Sequence, residues 1–332
     1  MSESVLINEP GTFVGKKSRR VIVKSNSGSI QEYSLLLLKE INIVGGGISI
    51  SSDLLLQAAK LGVQINILDS LQRFQAVLIP PYLSETITNA RAQIKSENTA
   101  KSFTLSRDIL MSKINHQAQV LVEFLKENTL AENKNKILKI IEKLTIKQSE
   151  LASRTFTVNY QKNLFALEGR AADYYWIGFK MCLGNDLLFA GRIGRGAKDP
   201  VNGLLNYGYA ILYSRVLRSI LKSGLMPFAG FMHADRPGKA SLVLDIMEIF
   251  RQPIIDWTVI QFVRQEHPDA SKELSTDIVR NFAKHLETRF QDRSIFTTKQ
   301  YSLQKIIELQ TDMIASFLKG ERLLEIWNIS KN

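Results

Sequence analysis

The sequence is short of cysteine, of long apolar runs and of internal repeats. Cys182 is the only cysteine among 332 residues. One thiol excludes an intrachain disulfide and a zinc cage built on cysteines, and it suits a reducing compartment. The longest uncharged stretch with hydrophobic character runs over residues 200–214 and is interrupted by Asn202, Gly203, Asn206 and Gly208. It falls short of the ~20 apolar residues that a membrane-spanning helix needs. Residues 1–10 lack a basic segment followed by an apolar one, so no export signal is expected. No period of about 20–50 residues recurs, which argues against a solenoid.

What is present is a globular composition with an excess of positive charge. Hydrophobic residues make up 45% and charged residues 23%. The 43 basic and 32 acidic residues leave a net charge of +11 at pH 7. Such a surface favours a polyanionic partner, nucleic acid ahead of an anionic membrane. A membrane-surface helix needs an aromatic apolar face. The basic helix expected over 131–154 has only aliphatic apolar residues, so no membrane partner is expected. At roughly 150 residues per domain the length suggests two domains.

The pattern changes period along the chain. Residues 1–81 read as a β-rich domain, with β-branched runs at 21–23 and 64–68 and turn signals at Gly11, 25–29, 45–47 and 69–70. One helix fits over 52–61, with Leu54, Leu55, Ala58 and Ala59 on its apolar face and Gly62 at its end. The Gly45-Gly46-Gly47 triple lacks the lysine and spacing of a P-loop. Pro80-Pro81 marks a boundary, and 82–96 reads as a linker. Residues 97–332 read as an all-α domain. Leu110, Ile114, Ala118, Leu121 and Leu125 repeat at helical spacing, and further helices are expected over 131–154, 163–183, 202–223, 241–251, 254–265, 272–289 and 298–319. The expected fold class is α+β overall, an N-terminal β-rich domain followed by a larger all-α C-terminal domain.

The acidic residues of interest lie in apolar company. Asp245 and Glu248 are i, i+3 in a segment that is apolar nearly all round, which Ser241 can cap and Pro253 can stop. Ionised carboxylates in a buried helix must be paired or hold a cation. His233 lies in the loop upstream, and Arg251 continues the same face, where it can pair with Glu248 or hold a phosphate. A buried salt-bridge network anchored on Arg251 and a metal site both fit this spacing. Glu168 sits in a second apolar segment, with Arg170 as its obvious partner and with Gly169, Ala171 and Ala172 leaving room for another helix. Glu168, His233 and Glu248 would together offer two carboxylates and one imidazole, a set suited to Mg2+ or Mn2+. The Gly-rich loop over 191–200 carries Arg192, Arg195 and Lys198, which can follow a phosphate chain. Lys16, Lys17, Arg19 and Arg20 form a second basic cluster.

Five blocks in this order resemble one family: 38–41 before 45–51, Leu167-Glu168-Gly169, 199–209, Gly230-Phe231-Met232-His233, and 245–251. The chain resembles the CRISPR-associated endonuclease that acts as the spacer-acquisition integrase, the Cas one family. The resemblance implies a β domain followed by a helical domain with one metal site held by Glu168, His233 and Glu248. It places Asp245 beside that site, to hold a second ion or to orient His233, and Arg251 as a nearby basic residue. Asn206, Tyr207 and Tyr213 fall on a helix that family members bring near the site. Implied partners are double-stranded DNA, as prespacer and CRISPR repeat, a second copy of the chain joined through the β domains, and the smaller protein Cas two. The implied location is the prokaryotic cytoplasm. The implied reaction joins the 3′-hydroxyl of a short duplex to a phosphodiester at the repeat edge by metal-dependent transesterification; with water as nucleophile the same site is a nuclease. The rival expectation is a non-catalytic basic DNA-binding scaffold whose acidic cluster is a buried ion-pair network.

Overall fold

The structure is a computed structural model that describes residues 4–70, 74–78, 86–126, 131–183, 189–194, 196–268 and 274–329. The chain divides into two units, Met1–Ser84 and Glu85–Asn332. Pro80 and Pro81, expected to mark the boundary, lie outside the described residues.

The first unit runs β1 (Ser4–Ile7), β2 (Phe13–Lys17), β3 (Arg20–Lys24), β4 (Ile30–Ser34), β5 (Glu40–Val44), β6 (Ser49–Ile50), α1 (Ser52–Leu61), β7 (Gln64–Leu68) and β8 (Phe74–Leu78). The strands form two four-stranded sheets, in the orders β1-β5-β7-β8 and β4-β3-β2-β6. Val5, Ile7, Val14, Val21, Ile41, Ile43 and Ile65 fill one core with Leu54 and Ala58 of α1. The β-branched residues suit strands because their stiff side chains pack well on a pleated surface. In the first sheet β5 and β7 are parallel with Asn42 opposite Asn66, and Asn66 Nδ2 donates to Asn42 Oδ1 at 2.7 Å. A one-residue slip would break this amide pair and turn the apolar faces outward. Helix α1 has the expected bounds. The Ser51 hydroxyl accepts from Leu54 N–H, and Gly62 ends it at φ 70°, where a side chain would be strained.

The second unit is mostly helical: α2 (Thr86–Lys95), α3 (Ala100–Lys126), α4 (Ala131–Ala152), α5 (Tyr160–Leu183), α6 (Pro200–Lys222), α7 (Ser241–Met247), a π-helical turn (Arg251–Asp256), α8 (Trp257–Glu266), α9 (Thr276–Gln291), β9 (Arg293–Phe296), β10 (Lys299–Ser302) and α10 (Leu303–Lys319). Helices α3, α4 and α5 pack against one another, and α6 packs on α7, the π-helical turn and α10. No helix among the described residues is long and apolar enough to cross a membrane.

The structure corrects three expectations here. Most of the stretch expected as a linker over 82–96 is helix α2. Its amides dock it: Asn89 Nδ2 donates to Ser223 O at 2.7 Å, and Gln93 accepts from Met226 N and donates to Ala229 O. Docking by polar side chains leaves no apolar period to read. The helix expected from 298 begins with a hairpin instead, since β9 and β10 pair antiparallel before Ser302 caps α10. Finally, Pro253 does not stop a helix. Helix α7 ends at Met247, and Pro253 sits inside the π-helical turn that leads directly into α8. A proline lacks the N–H that an α-helical turn uses, and the wider turn absorbs that gap.

The C-terminal segment folds back over α3. Trp327 N donates to Gln310 Oε1, Ser112 Oγ donates to Trp327 O, and the Trp327 ring stacks on Phe250. His116 bridges this segment to Ile249: Nδ1 donates to Ile249 O at 2.9 Å, and Nε2 accepts from Ile329 N at 3.1 Å. Burial pushes this imidazole down to about 3, so the bridge is neutral. Burial also pushes the Cys182 thiol up, which makes it a packing residue rather than a nucleophile.

Candidate active site

The loop before α7 is wound onto one buried carboxylate. Asp245 Oδ2 accepts from Phe231 N at 2.6 Å and Met232 N at 3.0 Å. Its Oδ1 accepts from His233 N at 3.0 Å and from His233 Nδ1 at 2.7 Å. The loop can come this close because residue 230 is glycine: a Cβ there would lie 2.7 Å from Ser241 Cβ and 2.8 Å from Asp245 Oδ2. Ser241 is not the helix cap that the sequence suggests. Ala240 holds that position, and the Ser241 hydroxyl accepts from Gly230 N at 2.8 Å. The result fixes one tautomer of His233. Nδ1–H faces Asp245, and Nε2 carries the lone pair on a ring that is 22% exposed.

The second group is a set of four charges. Lys113 of α3 donates to Glu168 Oε1 of α5, and its Nζ lies 2.7 Å from Glu248 Oε2. Arg251 Nη1 lies 3.2 Å from Glu248 Oε1. Two carboxylates from different elements thus converge on one ammonium. The contact at Glu248 is close but off the direction of a hydrogen bond, so Oε2 is a buried acceptor with no hydrogen-bond partner. Burial pushes the Glu248 carboxyl up, but Arg251 and Lys113 outweigh it and hold it at about 2. The partner of Glu168 is Lys113, and not Arg170, which is exposed. Gly169 faces open space; the close helix approaches fall at Gly178 and Gly208 instead.

A third group joins this cluster to the basic loop. Asp256, fully buried, accepts from Tyr175 Oη at 2.8 Å and Tyr209 Oη at 2.5 Å. The guanidinium groups of Arg192 and Arg251 both lie over the Tyr209 ring, at 5.1 and 5.2 Å. Arg192 also donates to Asn202 Oδ1 at 3.0 Å and to Asn206 Oδ1 at 2.6 Å. Asn202 is in turn held by Asp199, the N-cap of α6.

Burial pushes the Asp256 carboxyl up to about 6, more than the tyrosines and the arginines Arg192 and Arg251 pull it down. The folded chain therefore binds this proton more tightly than the unfolded chain. The associated stability is full at low pH and is lost as pH rises through about 4 to 6. Compared with Asp256→Asn, the wild type is expected to lose about 3 kcal/mol of stability over that rise. Urea titrations of both proteins at several pH values check this. A constant difference would contradict it.

The sequence-predicted residues divide as follows. Glu168 and Glu248 meet at Lys113, Arg251 pairs with Glu248, and Asp245 holds His233. Asn206 is joined to Arg192. Lys198 is exposed, and Arg195 lies outside the described residues. Tyr207 packs on Phe282. Tyr213 is half-buried, its phenol pushed up to about 12 by burial, and it is Tyr209, one turn earlier, that carries the two guanidiniums. Lys113, Tyr175, Tyr209 and Asp256 escaped the sequence reading. One signal was available: Lys113 lies three residues after Leu110 and next to Ile114, a charge beside the apolar stripe.

A divalent ion fits these residues in kind. Glu168 and Glu248 converge where Lys113 already places a positive charge, Glu248 Oε2 meets that ammonium at 2.7 Å without a hydrogen bond, and His233 Nδ1 is committed to Asp245. In the arrangement described, the ammonium stands at the point of convergence. Among the described residues no three His, Cys, Asp or Glu side chains are gathered closely enough to hold a metal.

Comparison with known proteins identifies the family. The chain is 30% identical over 317 residues to a CRISPR-associated endonuclease Cas1 of Francisella tularensis subsp. novicida (strain U112), covering 96% of each. Among solved structures it superposes on a casposase bound to integration product with a TM-score of 0.79 at 22% identity, covering 99% of this chain and 96% of that one. A chain of a Cas6-RT-Cas1–Cas2 complex also has a TM-score of 0.79, at 20% identity, covering 99% of this chain and 36% of that one. The family described as CRISPR associated protein Cas1 matches residues 5–286, which take in Glu168, His233, Asp245 and Glu248. A match of that extent, over the residues that build the cluster, makes the chain a member of the Cas1 family.

Proposed function

We propose that the chain is a metal-dependent DNA endonuclease and integrase of CRISPR adaptation, joining 3′-hydroxyl ends of short duplex DNA into a CRISPR repeat by transesterification. The observation that carries this reading is the convergence of Glu168 and Glu248 on one buried positive charge, in a Cas1-family chain whose His233 is held by Asp245. Glu168, Glu248 and His233 Nε2 would hold Mg2+ or Mn2+. When bound, the ion supplies charge stabilisation for the phosphoryl group and its leaving oxygen.

The chain's own residues supply the rest. Asp245 is a positioning residue, because its two oxygens already accept four N–H groups. That argues for orienting His233 rather than holding a second ion. Arg251 keeps Glu248 ionised. Arg192, Arg195, Lys198 and Arg251 offer positive charge to DNA phosphates, with Asn206 steering Arg192. Tyr213 is kept as a candidate phosphate contact. The partners that go with this reading are prespacer and repeat DNA, a second copy of the chain through its β-rich unit, and the smaller protein Cas2. The location that goes with it is the prokaryotic cytoplasm.

One observation favours the rival, a non-catalytic DNA-binding scaffold: Lys113 and Arg251 balance Glu168 and Glu248 without any metal. Strand transfer separates the two. Purified chain, with and without its Cas2 partner, is given a labelled duplex with free 3′ ends and a supercoiled plasmid bearing a leader and repeat, in manganese, magnesium or EDTA. The expected result is metal-dependent joined product that falls more than about a hundredfold in His233→Ala. Equal DNA binding by both proteins with no product in any lane would establish the scaffold.

A further inference from the structure

The ammonium at the centre of the carboxylates is unusual for what it does not do. Glu248 already has a permanent partner in Arg251, through Oε1, so its burial does not require a second cation. Lys113 nonetheless sits 2.7 Å from Oε2, in a position that makes no hydrogen bond to that oxygen. Its hydrogen bond goes to Glu168, whose side chain is 18% exposed and opens the cluster to solvent on one side. A lysine head is a compact charge on a flexible four-carbon stem, able to leave one partner and find another by rotating. An arginine fork in the same place would be locked to both carboxylates.

We propose that Lys113 is the resident counter-cation of this site. Its ammonium holds the position between Glu168 and Glu248 while the chain is metal-free, and yields it when a divalent ion binds. The inference rests on the metal-dependent reading above and adds a competitor to it. No covalent bond is made or broken in the exchange: Lys113 gives up its hydrogen bond to Glu168 and its ion pair with Glu248, and the two carboxylates would take the ion in its place. Glu168, Glu248, Lys113 and Arg251 sum to zero. Exchanging the ammonium for a divalent ion leaves Glu168, Glu248, Arg251 and the ion at +1, a sign suited to a phosphodiester. Lys113 thereby acts as a positioning residue with two effects. It keeps two buried carboxylates together before metal arrives, and it raises the metal concentration needed to load the site. Removing one positive charge at this distance must strengthen attraction for a cation.

Manganese binding to the full chain, followed by the EPR signal of free Mn2+, tests this on wild type, Lys113→Met and Lys113→Gln. The glutamine variant keeps a hydrogen-bond donor for Glu168 and covers the case in which the methionine variant does not fold. Both variants are expected to bind Mn2+ about tenfold more tightly than wild type. In EDTA their Tm is expected to fall below that of wild type, and Mn2+ is expected to raise it by more. A merely structural lysine would lower Tm without tightening metal. Unchanged or weaker Mn2+ affinity in a folded variant, with wild type binding, overturns the proposal alone. No Mn2+ binding by wild type or either variant overturns it together with the metal-dependent reading.

Discussion

Asp245→Ala is expected to lower the unfolding free energy by about 4 kcal/mol and to release the loop that carries His233. Its carboxylate is buried and accepts from Phe231 N, Met232 N, His233 N and His233 Nδ1. Alanine leaves three backbone donors and an imidazole unpaired. Asp245→Asn separates the structural loss from the tautomer effect. Both carboxylate oxygens face donors, so an amide NH2 in either orientation opposes two N–H groups. With its NH2 toward His233, the imidazole can still adapt by moving its proton to Nε2 and accepting at Nδ1. That variant should keep more stability than Asp245→Ala, yet lose Mn2+ affinity, because Nε2 no longer has a lone pair to give. Urea unfolding and Mn2+ EPR on the two variants check both parts. Equal Mn2+ affinity in Asp245→Asn and wild type would remove the positioning role.

Glu248→Ala is expected to cost about 3–5 kcal/mol, a loss of the same order. The carboxylate is the partner of Arg251 and the neighbour of Lys113, both in contact with it inside the second unit. Without it two cations face each other across a buried space, and Arg251 Nε already lacks a partner there. Glu168→Gln should cost only about 1 kcal/mol, since Glu168 is more exposed and the amide still accepts from Lys113. The two variants therefore test different things. Glu248→Ala reads the electrostatics of the core. Glu168→Gln reads chemistry, because a scaffold would tolerate it whereas a metal-dependent integrase would lose metal and strand transfer together. Chemical denaturation of both, with strand transfer for Glu168→Gln, provides the check. A Glu248→Ala loss below about 1 kcal/mol would show that the four charges are not coupled as described.

The rows of apolar residues and the caps carried most of the fold, because they act between near neighbours. Helix α1 could be read from Leu54, Ala58 and Gly62, and the β-branched runs at 21–23 and 64–68 became β3 and β7. Helix α2 was missed because its docking runs through Asn89 and Gln93, which leave no apolar period. The β9–β10 hairpin was missed because its four-residue strands are shorter than the helical pattern that follows them. Pro253 misled for a related reason: a proline forbids an α-helical hydrogen bond, but tertiary packing can supply the wider π-helical turn that tolerates it.

The site divides along the same line. The sequence by itself determined which residue types were available and which were near in register: Asp245 and Glu248 three apart, His233 just upstream, Arg251 one turn beyond, and a net charge of +11 suited to a polyanion. Tertiary structure alone decided who meets whom. It set Lys113 between Glu168 and Glu248, committed Asp245 to His233, and buried Asp256 between Tyr175 and Tyr209. The physical reason is that burial makes a charge find a partner, and the partner nearest in space is set by helix packing, which brings together residues 55 positions apart at Lys113 and Glu168.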